Sequence, residues 1–464
     1  MKRRTWQKHH RWLGLGVAFF LLMFCLSGIV LNHPMLFSGV NVSRSLLPGS
    51  YAYRQWNQGL LRGTLRWQGR VLVYGSSGVW QTDGRATAFG DMNRGLPPGA
   101  DARNMRGLAQ TPDHRLYAAG QYQLFVYDRR QGWTAVDLPK AADERLTDIT
   151  VARGLLVVTS RSHVYTAAAP YRHFRELTLP AAAGDDGKVS LFRTVWMLHS
   201  GELFGLPGRL VVDAIGLTLV FLTLTGVLYW LSPRLGRRLR LRPKAMHKVF
   251  SWHNGVGRTT IALTLFIVVS GWMLRPPGLI AIVTGRVPPV PMSAMDSPNP
   301  WRDALRALRY DAAKGDWLLY TSKGFFSMKT LRAMPVAEPA QPRVSVMGLG
   351  GLVQEPDGRW LVGSFDGLYA WRRGGAIVPM ATNAVSGLSL DFDRGPVVAD
   401  YEHGSDFAEM PQWMARLPMS LKSVCLEIHT GRIYTWMGSS GILLIFLAGM
   451  AIFWCLWSGW KLRR

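Results

Sequence analysis

Acid, cysteine and a nucleotide-binding turn are what this sequence is short of. Against 54 lysines and arginines it sets 29 aspartates and glutamates, a net charge of +25. So basic a chain raises nucleic acid as a partner, a reading that the placement of the charge removes below. Three cysteines, Cys25, Cys425 and Cys455, do not make a disulfide framework, so domains outside a membrane must be held by ordinary cores. Cys25 and Cys455 read as packing within membrane segments. No G-x-G-x-x-G strand, turn and helix unit occurs, and the basic connections are short, which excludes a built-in flavin or nicotinamide domain. Reducing equivalents would have to come from the membrane or from a partner.

Apolar sequence is abundant, at 48% of the chain, and it is gathered into four long runs. These are Trp12 to Leu31, Leu210 to Leu231, Gly255 to Leu274 and Ile433 to Trp460. Each is close to the roughly 20 residues that cross a bilayer core. The first run is too long for a cleavable signal peptide and no small-residue cleavage site follows it, so it is expected to stay as an anchor. The chain then divides into a first tail and span (1–32), a long connection (33–209), a second span (210–231) and a basic loop (232–254). A third span (255–274), a second long connection (275–432), a fourth span (433–460) and a tail (461–464) complete it.

The basic residues flank these spans on one side. Lys2, Arg3, Arg4, Lys8 and Arg11 precede the first; Arg234, Arg237, Arg238, Arg240, Arg242, Lys244 and Lys248 fill the middle loop; Lys461, Arg463 and Arg464 close the chain. No acid stands among them. This asymmetry puts both termini and the middle loop in the cytoplasm and both long connections in the periplasm of a bacterial inner membrane. Phospholipid headgroups, and not nucleic acid, are the expected partners of that charge.

The long connections read as short alternating strands ended by Gly, Asp or Pro, as in GRVLVYGSSGVWQTDG and GRWLVGSFDGLYAWRRGG. Hairpin centres near Gly75, Gly120 and Thr159, and again near Thr321 and Gly363, recur about every 40 residues, the spacing of propeller blades. Two arrangements fit: one β-propeller built from both connections, or two separate β-rich domains.

The chemistry-bearing feature is a repeat of histidines. His10 is followed by Gly14 and by Ser27-Gly28; His253 is followed by Gly257 and by Ser270-Gly271 at the same offsets. LHSGELFGLPGR around His199 and IHTGRIYTWMGS around His429 form a second matched pair. The order is a two-helix unit written twice, which predicts a four-helix bundle with a pseudo-twofold axis. Imidazoles on facing helices are a common means of holding a b-type haem. The topology places His10 and His253 together near the cytoplasmic face and His199 and His429 together near the outer face. Two haems are therefore expected, with the four histidines as axial ligands, Gly14 and Gly257 giving the ring room, and Arg11 and Arg258 pairing propionates. A continuous helix from His199 to Trp230 would be about 46 Å long, more than a bilayer core, so a break around Pro207 is expected to fold His199 back. His33 is a rival outer ligand, His9 and His247 are cytoplasmic alternatives, and Asp213 reads as an interfacial hydrogen-bonding group. His114, His163, His173 and His403 read as solvated or packed.

The run HRWLGL to SGIVLNH, then LHSGELFGLPGR to LTGVLYW, then WHNGVGR to SGWML, then IHTG, resembles the PepSY-associated transmembrane proteins. That family includes inner-membrane reductases of siderophore-bound iron. The resemblance implies b-type haem on His10, His33, His199, His253 and His429. The outer connections depart from it, showing hairpin repeats in place of a PepSY module.

The expected function is a haem-containing inner-membrane oxidoreductase that takes electrons from a quinol or a cytoplasmic donor and passes them to ferric iron or a ferric siderophore. The competing class is a non-enzymatic membrane-anchored scaffold or regulator whose outer domain binds a periplasmic partner. A transporter accessory role is a third, against which the scarcity of intramembrane charge speaks.

Overall fold

In lipid a run of some twenty apolar residues can satisfy its backbone only as a helix, and the chain forms four of that kind. The computed structural model describes residues 2–139, 144–235 and 243–462. We label the helices that matter here α1 (Arg3–Asn32), α2 (Leu191–Ser200), α3 (Gly205–Leu235), α4 (Pro243–Met273), α5 (Leu421–Thr430) and α6 (Gly441–Lys461). Among the described residues α1, α3, α4 and α6 are long and apolar enough to cross a membrane, so this is a multi-pass membrane protein. Phe19, Leu217, Leu263 and Leu443 stand exposed on their outer faces, as lipid-facing side chains must.

The chain divides into two compact units. The first comprises Met1–Phe37, Gly187–Ser297 and Leu421–Arg464 and contains all six helices. Within it α1 packs on α3 and α6, and α4 packs on the same two, so each span has two neighbours. Val17, Ile215, Leu219, Ile452 and Leu456 are buried at the centre, with Phe24, Ile261, Leu265 and Val268 against them.

The span limits differ from the sequence expectation at three places. α3 begins at Gly205, not Leu210, and the chain breaks before it at Gly201 and Gly205, both with positive φ, while Pro207 sits inside the first helical turn where a missing N–H costs nothing. The last span begins at Gly441, not Ile433: Thr435–Ser440 is a 3-10 turn interrupted by Gly438 at φ +52°, although its residues are apolar enough to extend the hydropathy run. The expected basic loop of 232–254 is largely helical, because α3 runs on to Leu235 and α4 starts at Pro243. Arg237, Arg238, Arg240, Arg242, Arg463 and Arg464 lie outside the described residues.

The second unit, Ser38–Asp186 with Pro298–Ser420, is β-rich and draws on both long connections. Among the described residues, and besides a short pairing of Asn41–Val42 with Met419–Ser420, it contains five four-stranded antiparallel sheets and a two-stranded one that start, in order, at Gly63, Gly107, Leu146, Leu305, Leu349 and Val385. The second strands, such as Leu155–Ser160 and Asp316–Thr321, are buried almost throughout, because neighbouring sheets cover both faces. The connections meet at two seams. Val157 and Val164 of the third sheet share a core with Leu305, Leu308 and Trp317 of the fourth. Val71 and Val73 of the first share one with Val397 and Ala399 of the sixth. The Leu305 N–H donates to the Arg161 carbonyl at 2.8 Å across one seam, and the Leu388 N–H to the Arg62 carbonyl at 3.2 Å across the other.

Candidate functional site

The four histidines of the repeat occupy four niches of one design. In each, the imidazole lies against a hydroxyl residue followed by glycine on a neighbouring span. His10 on α1 faces Ser458-Gly459 of α6, and His253 on α4 faces Thr225-Gly226 of α3. His199 on α2 faces Ser270-Gly271 of α4, and His429 on α5 faces Ser27-Gly28 of α1. A β-carbon on the glycine would come 3.1 Å from the Cε1 of His10, 3.3 Å from that of His253, 2.6 Å from that of His199 and 3.4 Å from that of His429. Glycine is what lets the rings lie this close to the helix.

Hydrogen bonding sets the tautomer. Nδ1 is the engaged nitrogen in every ring: Thr225 Oγ1 lies 3.0 Å from that of His253, Ser270 Oγ 3.1 Å from that of His199 and Ser27 Oγ 2.9 Å from that of His429. Each hydroxyl spends its single proton on its own helix, Ser27 on the Met23 carbonyl at 2.6 Å, Thr225 on Phe221 at 2.7 Å and Ser270 on Ile267 at 3.0 Å. It must therefore accept from Nδ1–H. His10 donates Nδ1–H to the Cys455 carbonyl at 3.0 Å, with Ser458 Oγ more distant at 3.5 Å. In all four rings this leaves Nε2 as the nitrogen that could meet a metal, and a partner that fixes the other nitrogen is the arrangement that orients a metal-binding imidazole. Burial pushes His199 down to about 4 and His429 down to about 3, the second aided by His199 and then Arg275, so both outer rings are neutral.

The niches bring the rings together in twos. The ring centroids of His10 and His253 are 6.1 Å apart, and those of His199 and His429 are 6.3 Å apart. Two imidazoles that share one metal at about 2 Å, with each ring centre about 1.1 Å behind its nitrogen, have centroids about 6.2 Å apart. Both pairs are close to that spacing, so the two imidazoles of each would fit a haem iron held between them. His10 to Ser27 along α1, like His253 to Ser270 along α4, is 17 residues, about 26 Å of helix separating the two pairs.

The short helices α2 and α5 carry their histidines in the last turn, and each ends at a left-handed glycine, Gly201 at φ +78° and Gly431 at φ +75°. A side chain at Gly201 would run into the Gly208 carbonyl, and one at Gly431 into Ile445. These turns reverse the chain so that a helix outside the span can lean its histidine on the span.

Other sequence candidates fall elsewhere. His33 is not drawn into the outer pair: its Nε2 bonds Asp213 Oδ2 at 2.5 Å, while Asn32 Nδ2 donates to Asp213 Oδ1 at 3.0 Å. Its Nε2 is thereby engaged, and Asp213 has the hydrogen-bonding role expected of it. His9 Nδ1 accepts from Trp454 Nε1 at 3.1 Å, and His247 is exposed. Arg11 and Arg258 are exposed, with the Arg11 guanidinium 5.2 Å over the Trp12 ring. A β-carbon at Gly14 would lie 3.5 Å from Cys455 Sγ and one at Gly257 3.6 Å from Leu222. His163 pairs with Glu144 and His403 with Asp400. Thr225-Gly226 and Ser458-Gly459 were not singled out from sequence, and neither was Cys455 as an acceptor; the recurrence of a hydroxyl residue before glycine in all four spans was the available signal.

No curated protein matches the chain. Among solved structures it aligns with the extracellular domain of a hybrid two-component system of B. thetaiotaomicron at 9% identity and a TM-score of 0.38, over 74% of this chain and 32% of that one. The chain thus spans about a third of that protein's length. Virginiamycin B lyase from Staphylococcus aureus aligns at 6% identity and a TM-score of 0.36, over 74% of this chain and 78% of that one. YCF48 from Cyanidioschyzon merolae aligns at 11% and 0.35, over 75% and 82%. The sequence pattern of the PepSY-associated TM region matches residues 1–233.

Proposed function

This chain belongs to the family of the PepSY-associated TM region, and from that premise we propose that it is a haem-bearing oxidoreductase of a bacterial inner membrane, carrying electrons outward to a ferric chelate. The observation that carries the proposal is the pairing of four Nδ1-anchored imidazoles at 6.1 and 6.3 Å. A b-type haem between two imidazoles supplies one-electron transfer. The chain's own part is positional. His10 and His253 would hold one haem and His199 and His429 the other, with Arg11 and Arg258 available to the inner propionates. Ser27, Thr225, Ser270 and the Cys455 carbonyl hold each ring by Nδ1–H, which raises the basicity of Nε2. Between the pairs Val17, Ile215, Leu219, Ile452 and Leu456 make an apolar layer, a medium that admits electrons and excludes ions.

The basic, acid-free flanks orient the His10 end to the cytoplasm, where a quinol or a cytoplasmic protein is the donor. Reduction releases iron because hard oxygen chelators hold the ferrous ion less tightly than the ferric. The niches also support the duplicated two-helix unit: exchanging α1 with α4 and α3 with α6 exchanges His10 with His253 and Ser27 with Ser270. The β-rich unit reads as one propeller split between the connections, the sheets following one another from the first to the sixth and back.

The test is anaerobic reoxidation. Protein reduced with dithionite and freed of excess should be reoxidised at its haem bands by ferric EDTA, with one ferrous ion trapped per haem. Reduced haem that ignores ferric chelates removes iron as the acceptor. A colourless protein moves the weight to the scaffold reading, which the large β-rich unit supports.

A further inference from the structure

Three arginines stand at the start of consecutive sheets. Arg62 precedes the strand Gly63–Trp67, Arg106 precedes Gly107–Gln110 and Arg145 precedes Leu146–Ala152. All three are half-buried. A chain of neutral groups ties two of them together. Arg62 Nη1 donates to Asn104 Oδ1 at 2.8 Å and to the Met105 carbonyl, Asn104 Nδ2 donates to Gln121 Oε1 at 3.2 Å, and Arg106 Nη2 donates to that same oxygen at 3.1 Å. Arg145 Nε donates to the Tyr122 hydroxyl at 3.2 Å.

Every acceptor in this network is an amide, a carbonyl or a phenol. Elsewhere in the unit Arg309 is matched with Asp148, Arg161 with Asp303, and the buried Arg373 with Asp311, Asp316 and Glu338, whereas the buried Arg44 donates to the Leu417 and Tyr51 carbonyls and to Gln58 Oε1. Here Arg106 Nε and Gln121 Nε2 are buried with no hydrogen-bond partner among the described residues. Burial, then the positive charges of Arg62 and Arg145, push Arg106 down to about 9, with Tyr122 and Asp101 pulling weakly the other way. Like charges gathered with neutral acceptors are costly to a fold unless a counter-charge arrives. Guanidinium groups favour planar anions that take two parallel hydrogen bonds, which describes a carboxylate. Groups spread over three neighbouring sheets suit a ligand with more than one of them.

We propose that this end of the β-rich unit binds a small polycarboxylate. On the reductase reading, on which the role of this site rests, that polycarboxylate is the chelator that brings ferric iron to the protein. The full-length protein in detergent is titrated calorimetrically with citrate, ferric citrate, inorganic phosphate and a neutral ferric hydroxamate. Citrate and ferric citrate should bind, and 0.5 M salt should weaken both. Arg106→Gln, which keeps a donor for Gln121, should weaken citrate at least about ten-fold, and Arg145→Gln about three-fold or more. The thermal midpoint of each variant in detergent is the check that it folds, and Arg145→Gln, touching a single phenol, carries the test if Arg106→Gln does not.

Absence of citrate binding at millimolar concentration, or equal binding in wild type and variants, overturns the proposal. Phosphate or the neutral hydroxamate binding as tightly as citrate overturns the assignment to polycarboxylates. Metal-free citrate reports on the site without haem, so the two readings fail separately. A colourless protein that binds citrate keeps the site and loses the reductase; a red protein indifferent to citrate does the reverse.

Discussion

The inner and outer histidine pairs reach nearly the same ring spacing from different backbones. His10 and His253 belong to the spans α1 and α4 and need nothing but helix to hold their height. His199 and His429 belong to short helices outside the spans and depend on the turns at Gly201 and Gly431 to reach them. The contrast teaches that the conserved quantity within this molecule is the niche, a hydroxyl residue and a glycine on a neighbouring helix, and that the element delivering the imidazole is free to differ. It also predicts that the outer site is the more fragile.

The largest effect expected is at Gly271. An added β-carbon would lie 2.6 Å from His199 Cε1, against 3.4 Å for Gly28 and His429. Gly271→Ala should therefore lose most of the outer haem, about half of the total absorbance, while Gly28→Ala retains it. Equal losses would break the steric account of the niches.

Removing the Nδ1–H acceptor comes next. Ser27→Ala, Ser270→Ala and Thr225→Val should each weaken haem retention about 10- to 100-fold, read as haem transfer to apomyoglobin. Ser458→Ala should be mild, because His10 donates to the Cys455 carbonyl instead. A Ser458→Ala variant as damaged as Ser27→Ala contradicts the tautomer argument.

Gly201→Ala tests the turn that the inner pair lacks. At φ +78°, with the Gly208 carbonyl in the way, alanine should cost about 1–3 kcal/mol and lower the thermal midpoint of the detergent-solubilised protein. Gly257→Ala in α4, whose β-carbon would sit 3.6 Å from Leu222, should leave that midpoint nearly unchanged.

The smallest effect lies in the β-rich unit. The hydrogen bond His163 donates to Glu144, outweighing burial, raises His163; for Glu144, burial pulls upward but hydrogen bonds from His163, Ser162 and Ser160 outweigh it and lower the carboxyl. The raised histidine stabilises below its unfolded value, near 6.5, and loses this as pH rises through the folded one. The lowered glutamate stabilises above its unfolded value, near 4.5, and loses this as pH falls through the folded one. Between pH about 4.5 and 6.5 the pair should contribute its full stabilisation, which His163→Gln removes. Chemical denaturation at pH 5.5 and pH 8 checks it, since the variant's deficit should shrink at the higher pH.

Much of the membrane unit was legible in the sequence. Fixed offsets exposed His10 with Ser27-Gly28 and His253 with Ser270-Gly271, because histidine and niche lie on one uninterrupted helix. Thr225-Gly226 and Ser458-Gly459 escaped for a physical reason. They lie 26 and 29 residues beyond His199 and His429, and the unequal turns between short helix and span, Gly201–Phe204 in one half and Gly431–Ser440 in the other, destroy the common offset. The same 3-10 turn misplaced the start of the last span. His33 was a candidate ligand by its height and by the family resemblance, and the side chain it bonds, Asp213, is 180 residues away and could not be read from the sequence. The hairpin spacing of about 40 residues announced the sheets, but which sheets adjoin across the seams is set by packing between distant segments, as Val157 against Leu305 shows.

The measurement that bears most directly on the central claim is a haem count per chain in wild type, His10→Ala, His199→Ala and the double variant, with the reduced-minus-oxidised spectrum of each. The account predicts two b-type haems in wild type, one in each single variant and none in the double. Two haems surviving in His199→Ala, or loss of both in either single variant with the fold intact, would contradict two independent bis-histidine sites.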